Sequence, residues 1–131
     1  MVKTKIGGYM RILIVDDSKN KNEWIREILE KEDIQYDEIT YMNGAYSKIL
    51  NSPDLYNGII LDMQFPLMTD TPVDGKMGEK FLKRLKNRKM NIPVLGNSSM
   101  EFPDSTEYQF LKGNTYGYYN PKVLKEFLEN L

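Results

Sequence analysis

Hydrophobic and polar residues occur in blocks whose spacing predicts strands separated by helices. Short β-branched apolar runs bounded by polar residues are typical of buried strands, and strict alternation is typical of a half-buried edge strand. Runs of this kind predict five strands, at residues 12–15, 34–41, 58–62, 92–95 and 116–119. Apolar residues at three- and four-residue spacing indicate amphipathic helices between them, at residues 24–29, 43–50, 77–88, 107–111 and 121–131.

Strands that alternate with helices favour right-handed βαβ units around a parallel sheet. The predicted fold is therefore α/β, a doubly wound five-stranded parallel sheet flanked by five helices. For five strands the expected order is 2-1-3-4-5, in which the chain reverses its direction of winding between strands 1 and 3. Open α/β sheets bind ligands in the crevice at that point, beyond the carboxyl ends of the strands.

Three aspartates follow the two strands that border this crevice. Asp16 and Asp17 come directly after the first apolar run, and Asp62 closes the third. Because the carboxyl ends of parallel strands meet at one edge of the sheet, we expect the three carboxylates to lie close together. Clustered carboxylates repel one another, so such a cluster is typical of a cation site or of proton transfer. Helix capping by Asp16 or Asp17 is an alternative role.

Composition restricts the chemistry of this cluster. The chain has 131 residues, which suits one domain, and contains neither cysteine nor histidine. Disulfides, thiolate or imidazole metal sites and Ser–His catalysis are therefore excluded. Any metal would be bound by oxygen, as Mg²⁺, Mn²⁺ or Ca²⁺ are.

Charge and hydropathy restrict the partners and the location. The net charge of −1 gives no general attraction to nucleic acid or to an anionic membrane. The sequence has no pattern of a signal peptide or a membrane span, so we expect a cytoplasmic protein. Residues 1–9 are predicted to be a flexible N-terminal extension, and residues 10–131 to form the domain.

Several short motifs occur in a fixed order, and together they resemble the response-regulator receiver family of two-component signalling over residues 10–131. Each motif alone is weak, but their order and spacing are fairly specific. They are the acidic pair Asp16-Asp17, Asp62, Pro66, Met68, Asp74-Gly75, Ile92-Pro93-Val94, Ser98 and Pro121. The resemblance implies a stand-alone, flavodoxin-like receiver domain similar to the chemotaxis regulators.

The resemblance also implies roles for individual residues. Asp62 would accept a phosphoryl group in a phosphorelay that requires Mg²⁺. Asp17 and Asp62 would bind the metal directly, Asp16 would bind it through water, and the Gln64 carbonyl would add a ligand. Ser98 would hydrogen-bond the phosphoryl oxygen, although a plain polar strand end is the alternative for this residue.

Partners follow from the same resemblance. A sensor histidine kinase or a phosphotransfer protein would donate the phosphoryl group. An unknown downstream protein would bind the surface of the fourth helix, the fifth strand and the last helix. The domain would not be an enzyme beyond catalysing its own phosphorylation and dephosphorylation.

Three positions depart from the family pattern. Receivers have a lysine before the proline that opens the last helix, and here Asn120 stands there, a residue that an N-cap role explains fully. The aromatic position of the fifth strand falls on Gly117, or on Tyr118 after a slip of one residue. Five extra residues, 69–73, precede Asp74, either as a tolerated insertion or as a lid.

Two other functions remain open. A receiver fold could bind partners without phosphorylation, which the asparagine at position 120 and the altered fifth strand favour. A Mg²⁺-dependent phosphatase with an aspartate nucleophile is the other alternative. The haloacid dehalogenase superfamily has a second aspartate two residues after its nucleophile, where this chain has Gln64.

Overall fold

The fold is built on a parallel sheet of five strands. A computed structural model describes residues 4–5, 8–18, 20–98, 110–114 and 120–131. The strands of the sheet are β1 (Arg11–Val15), β2 (Gln35–Ile39), β3 (Gly58–Leu61), β4 (Val94–Asn97) and β5 (Phe110–Asn114). They lie in the order β2-β1-β3-β4-β5, and all neighbours are parallel. The predicted fold class and the order 2-1-3-4-5 are confirmed.

Four α-helices are described, and they cover both faces of the sheet. They are α1 (Glu23–Lys31), α2 (Met42–Asn51), α3 (Met77–Asn87) and α4 (Pro121–Glu129), and a 3-10 turn, Asn20–Asn22, precedes α1. Side chains alternate along β1, so Leu13 and Val15 pack with α2 and α3, whereas Ile12 and Ile14 pack with α1 and α4. The central strands β1, β3 and β4 are therefore buried on both sides, as their continuous apolar runs predict.

The last strand lies earlier in the chain than predicted. Phe110 and Leu111, which the pattern assigned to a short helix, are in β5 and pair with Val94 and Leu95. The prediction of a helix was wrong for these two residues, because pairing with a buried strand outweighs a weak local helix preference. Residues 107–109 of that predicted helix and the strand predicted at 116–119 lie outside the described residues.

Two short antiparallel ladders accompany the sheet. Phe65–Pro66 pairs with Val73–Asp74, so the five-residue insertion 69–73 lies mostly in the loop of a hairpin. Within that loop the Thr71 hydroxyl accepts from the Met68 N–H at 2.9 Å and donates to the Met68 carbonyl at 3.0 Å. Near the N-terminus, Thr4–Lys5 pairs with Gly8–Tyr9. In the described part of the chain, no helix has the length and apolar character needed to cross a membrane.

Candidate functional site

Backbone pairing places the three aspartates at the carboxyl ends of β1 and β3. The Asp62 N–H donates to the Val15 carbonyl at 2.9 Å, and the Asp16 N–H donates to the Ile39 carbonyl at 3.2 Å. Each strand thus extends by one residue before its acidic side chain leaves the sheet. The structure brings the predicted carboxylates together, with one oxygen of each of Asp16, Asp17 and Asp62 within 4.8 Å of the others.

The cluster is costly to keep charged because two of its members are buried. Asp16 and Asp62 expose 5% and 6% of their surface, and Asp17 is exposed. Burial raises the pKa of Asp62, and repulsion from Asp16 raises it further. Burial and then repulsion from Asp16 likewise raise the pKa of Asp17. Both shifts mean that the folded protein disfavours the charged forms of these carboxylates.

A lysine ammonium lies inside the cluster. Lys21 Nζ is 2.8 Å from Asp16 Oδ2 and 3.3 Å from Asp62 Oδ1. It also donates a hydrogen bond to the Asn97 carbonyl at 3.1 Å. Its side chain is 24% exposed, so the charge is partly shielded from water. Lys21 therefore supplies positive charge to both buried carboxylates.

The turn that carries Lys21 is fixed to the end of β4 by a pair of buried amides. Asn97 Nδ2 donates to Asn22 Oδ1 at 3.0 Å, and Asn22 Nδ2 donates to the Ser18 carbonyl at 3.2 Å. Asn22 and Asn97 are 2% and 1% exposed. The Ser18 N–H in turn donates to Asp16 Oδ1 at 2.9 Å. These contacts link the turn to both β1 and β4.

Ser98 contacts the cluster from the end of β4, and Gln64 stands in the loop that follows Asp62. Ser98 directly follows β4, is buried, and hydrogen-bonds the Asp62 side chain. Gln64 lies two residues beyond Asp62, and its Nε2 is 3.8 Å from the position of a Cβ built on Gly75. The Met63 N–H donates to Asp62 Oδ1 at 2.8 Å. The metal-binding role of the Gln64 carbonyl stays a prediction.

Asn120, which stands where receivers have a lysine, caps the N-terminus of α4. The side chain of Asn120 accepts from the Val123 N–H at 3.4 Å, and Pro121 opens α4. The N-cap role predicted for Asn120 is thus confirmed. Gly117 and Tyr118, the two candidates for the aromatic position, lie outside the described residues.

The donor set fits a hard divalent cation. All three cluster members offer carboxylate oxygens, which Mg²⁺ prefers, and they meet within the span of a single ion. Asp16 Oδ2 is buried and has no hydrogen-bond donor in the described structure, since the nearby ammonium forms an ion pair without directed hydrogen-bond geometry. This oxygen can therefore accept a further ligand beside the ammonium.

Sequence reasoning missed Lys21, Asn22 and Asn97. Each stands in a loop or at a strand end, and their contacts join positions separated by 75 or 76 residues. A lysine four residues after Asp17, in the connection that leads from an acidic pair to a helix, was the one available signal. That signal is weak, because most lysines at such positions are solvated.

Comparison with known proteins connects this geometry to a fold. No family model and no curated protein matches the sequence. Among solved structures, the chain is similar to a CheY-like response-regulator receiver domain from Methylobacillus flagellatus, with a TM-score of 0.66 and 20% identity over 92% of this chain and 97% of that one. It is also similar to the non-phosphorylated HemR receiver domain from Leptospira biflexa, with a TM-score of 0.61 and 17% identity over 92% of each chain.

A third similar structure contains a ligand. The response regulator protein TrrA from Thermotoga maritima, in complex with Mg²⁺–BeF, matches with a TM-score of 0.66 and 20% identity, over 92% of this chain and 97% of that one. At these identities the comparisons establish the fold, so the chain has the fold of response-regulator receiver domains.

Proposed function

We propose that this protein is a receiver that accepts a phosphoryl group on Asp62 in a Mg²⁺-dependent two-component phosphorelay. The observation that carries the proposal is the setting of Asp62, which is buried among acidic neighbours at the crevice between β1 and β3. A buried carboxylate in a like-charged cluster costs free energy, and such arrangements are concentrated at functional sites. The Ser98 hydroxyl, which hydrogen-bonds the Asp62 side chain, could donate a hydrogen bond to a phosphoryl oxygen.

Phosphoryl transfer to Asp62 needs no general base. An oxygen of the ionised carboxylate attacks phosphorus, and the new O–P bond forms as the bond from phosphorus to the leaving atom of the donor breaks. The electron pair of the broken bond leaves with that atom, which is a carboxylate oxygen of acetyl phosphate or a ring nitrogen of a phosphohistidine. A departing imidazole then takes its proton from solvent, which fits a chain that contains no histidine.

Mg²⁺ at this site would neutralise negative charge on the phosphoryl oxygens and on the carboxylates. Asp17 and Asp62 would hold it directly, Asp16 through water, and the Gln64 carbonyl would add a ligand. Support comes from the buried Asp16 Oδ2, which has an ion-pair partner but no hydrogen-bond donor in the described residues, and from the Mg²⁺–BeF complex of the similar Thermotoga maritima protein.

Residues 10–131 would act as a cytoplasmic signalling module rather than as an enzyme with an independent substrate. A sensor histidine kinase or a phosphotransfer protein would serve as donor, and a downstream protein would read the phosphorylated state. Neither nucleic acid nor a membrane is proposed as a partner, in keeping with the net charge of −1.

The test is modification by acetyl phosphate, followed by intact-protein mass spectrometry. With Mg²⁺ present, the wild-type protein should gain the mass of one phosphoryl group, and chelation of the metal should prevent the gain. Asp62→Asn should abolish it, because the amide is not a nucleophile for phosphorus. Asp54→Asn, which changes an exposed aspartate near the opposite end of β3, is the matched control and should be modified as the wild type is.

Two results would contradict the proposal in different ways. An unmodified wild-type protein that also fails to bind Mg²⁺ would favour a receiver fold that binds its partner without phosphorylation. Sustained turnover of a generic aryl phosphate would favour the phosphatase alternative.

A further inference from the structure

We infer that Lys21, carried by the turn before α1, is the phosphoryl-binding cation of this site. This inference rests on the proposed function, since it assigns a residue to the phosphoryl group on Asp62. A receiver is expected to have a lysine at position 120, and Asn120 caps α4 instead. Lys21 brings a positive charge to the site from a different element.

The position of the ammonium carries the inference. Lys21 Nζ is 3.3 Å from Asp62 Oδ1 and 2.8 Å from Asp16 Oδ2. Asp62 is the residue that would carry the phosphoryl group. Its hydrogen bond to the Asn97 carbonyl, the residue before Ser98, directs it toward the end of β4. The ammonium thus lies between Asp62 and the strand end that supplies the Ser98 hydroxyl.

The electrostatic balance of the site favours a fixed cation of this kind. With all members ionised, three carboxylates and one ammonium leave a net charge of minus two, which one divalent ion would neutralise. Phosphorylation of Asp62 replaces one negative charge with two, so a further partner is needed for the phosphoryl oxygens. Hydrogen bonds to charged groups are stronger than neutral ones, and an ammonium offers three donors.

The anchoring of the turn makes Lys21 a defined part of the site rather than a solvated side chain. The buried Asn22–Asn97 pair fixes the residue next to Lys21, and the Asn97 carbonyl fixes the ammonium itself. An ammonium held in place loses less conformational entropy when it binds an anion. Lys21 therefore binds the phosphoryl oxygens through an ion pair, and it transfers no proton.

The test compares three variants in the full chain, with beryllium fluoride and Mg²⁺ as the phosphoryl mimic and calorimetry as the readout. Lys21→Met removes the charge and keeps the length of the side chain, and Lys21→Arg keeps the charge. Lys31→Met, at the exposed C-terminal end of α1, is the matched control. Affinity for the mimic should fall about tenfold or more in Lys21→Met, recover at least in part in Lys21→Arg, and stay at the wild-type value in Lys31→Met.

Affinity for Mg²⁺ alone separates phosphoryl binding from a general structural role. Loss of a nearby positive charge should leave Mg²⁺ binding in Lys21→Met as tight as in the wild type, or tighter. If Lys21→Met lost affinity for Mg²⁺ and for the mimic to the same extent, the residue would only maintain the fold of the site, and the inference would be wrong.

Failure of the inference and failure of the proposed function look different. A Lys21→Met variant that binds beryllium fluoride and accepts phosphate as the wild type does would overturn the inference and leave Asp62 as the acceptor. A wild-type protein inert to both reagents would overturn the two together.

Urea unfolding of metal-free Lys21→Met, Asp62→Asn and the double variant adds a readout without any ligand. The charge removal should destabilise the protein less when position 62 is already asparagine, and fully additive effects would contradict the ion pair.

Discussion

The two ends of the sheet hold their carboxylates in contrasting ways. Partners from the amino ends of β1 and β3 reach the Asp37 carboxylate, which belongs to the middle of β2. It accepts from the Tyr56 hydroxyl at 2.6 Å and lies 3.4 Å from Arg11 Nη1. Asn57 joins the same group, since its Oδ1 accepts from the Arg11 N–H at 2.8 Å. We call Arg11, Asp37, Tyr56 and Asn57 the amino-end network.

At the carboxyl end three carboxylates meet with one nearby ammonium. Asp16, Asp17 and Asp62 lie together, and the Lys21 ammonium pairs with two of them, Asp16 and Asp62. Within the described ranges one buried carboxylate oxygen, Asp16 Oδ2, has this ion pair but no hydrogen-bond donor. We call these four residues the acidic site. A carboxylate that accepts hydrogen bonds from several donors stabilises the fold. Several carboxylates beside one cation can still bind a ligand, but they lower the free energy of unfolding. Removing a side chain should therefore have opposite effects at the two ends.

The largest expected effect is the loss of Asn57 from the amino-end network. Asn57→Ala should lower the free energy of unfolding by about 2 kcal/mol, because the part-buried Arg11 N–H loses the acceptor that the buried Asn57 side chain provides. Urea denaturation measures this change. Asn91→Ala, at an exposed position before β4, should change it by less than about 0.5 kcal/mol. Equal effects of the two substitutions would contradict a stabilising role for Asn57 in the amino-end network.

Mg²⁺ should stabilise the protein through the acidic site. At a free concentration ten times the dissociation constant, a ligand that binds only the folded state adds about 1.4 kcal/mol to the free energy of unfolding. Thermal unfolding with and without MgCl₂ measures the gain, and Asp17→Asn and Asp62→Asn should each reduce it. If MgCl₂ stabilised both variants as much as the wild type, the ion would bind elsewhere.

Tyr56→Phe tests the amino-end network through one hydrogen bond. The substitution should lower the free energy of unfolding by about 1 kcal/mol at neutral pH, because Asp37 loses its 2.6 Å donor while the buried ring remains. Urea denaturation of the two proteins at pH 7 gives the value. No loss would mean that Arg11 and water satisfy Asp37 without the hydroxyl.

The pH dependence of the Tyr56 contribution has a definite sign. Burial first, and then the Asp37 carboxylate, raise the pKa of the Tyr56 hydroxyl above its usual value of about 10. Below that value the hydroxyl is protonated in both states, so its stabilising effect is complete. Above about pH 10 the unfolded chain loses the proton first, so the wild type should lose stability with rising pH more steeply than Tyr56→Phe. Parallel curves for the two proteins would contradict the assignment.

The smallest expected effect is a gain in stability at the acidic site. Metal-free Asp62→Asn should be more stable than the wild type at pH 7 by about 0.5 kcal/mol or more, within the range of single stabilising substitutions. The folded state raises the pKa of Asp62, so it binds the proton more tightly than the unfolded chain does. The cost of keeping Asp62 ionised in the folded protein is therefore complete above its raised pKa. It disappears as the pH falls to the pKa of an aspartate in the unfolded chain, near 4.

Urea denaturation of Asp62→Asn across this pH range tests the direction. The advantage of the variant should be largest at neutral pH and should shrink on acidification. Asp54→Asn is the matched control, and it should show neither trend. A less stable Asp62→Asn at pH 7 would mean that the pair with Lys21 outweighs the cost of burial.

Local sequence patterns were sufficient for the central part of the fold and for the acidic cluster. The apolar runs before Asp16 and Asp62 specify buried strands, and strand order then brings their ends together. They were insufficient for β5, where pairing of Phe110 with Val94 outweighs a local pattern that favours a helix. Lys21 escaped prediction for the same reason, since its place is set by carbonyl and amide groups at the end of β4.

The buried Asn22–Asn97 pair has a consequence for how this sequence can diverge. Each amide is the partner of the other, so one apolar replacement would leave a buried polar group unmatched, at a cost of about 1–3 kcal/mol. Replacement of both together by apolar residues of similar shape can be nearly neutral. Positions 22 and 97 are therefore expected to change in concert among descendants of this chain. Such paired change would reveal the contact between the α1 turn and β4 from sequences alone.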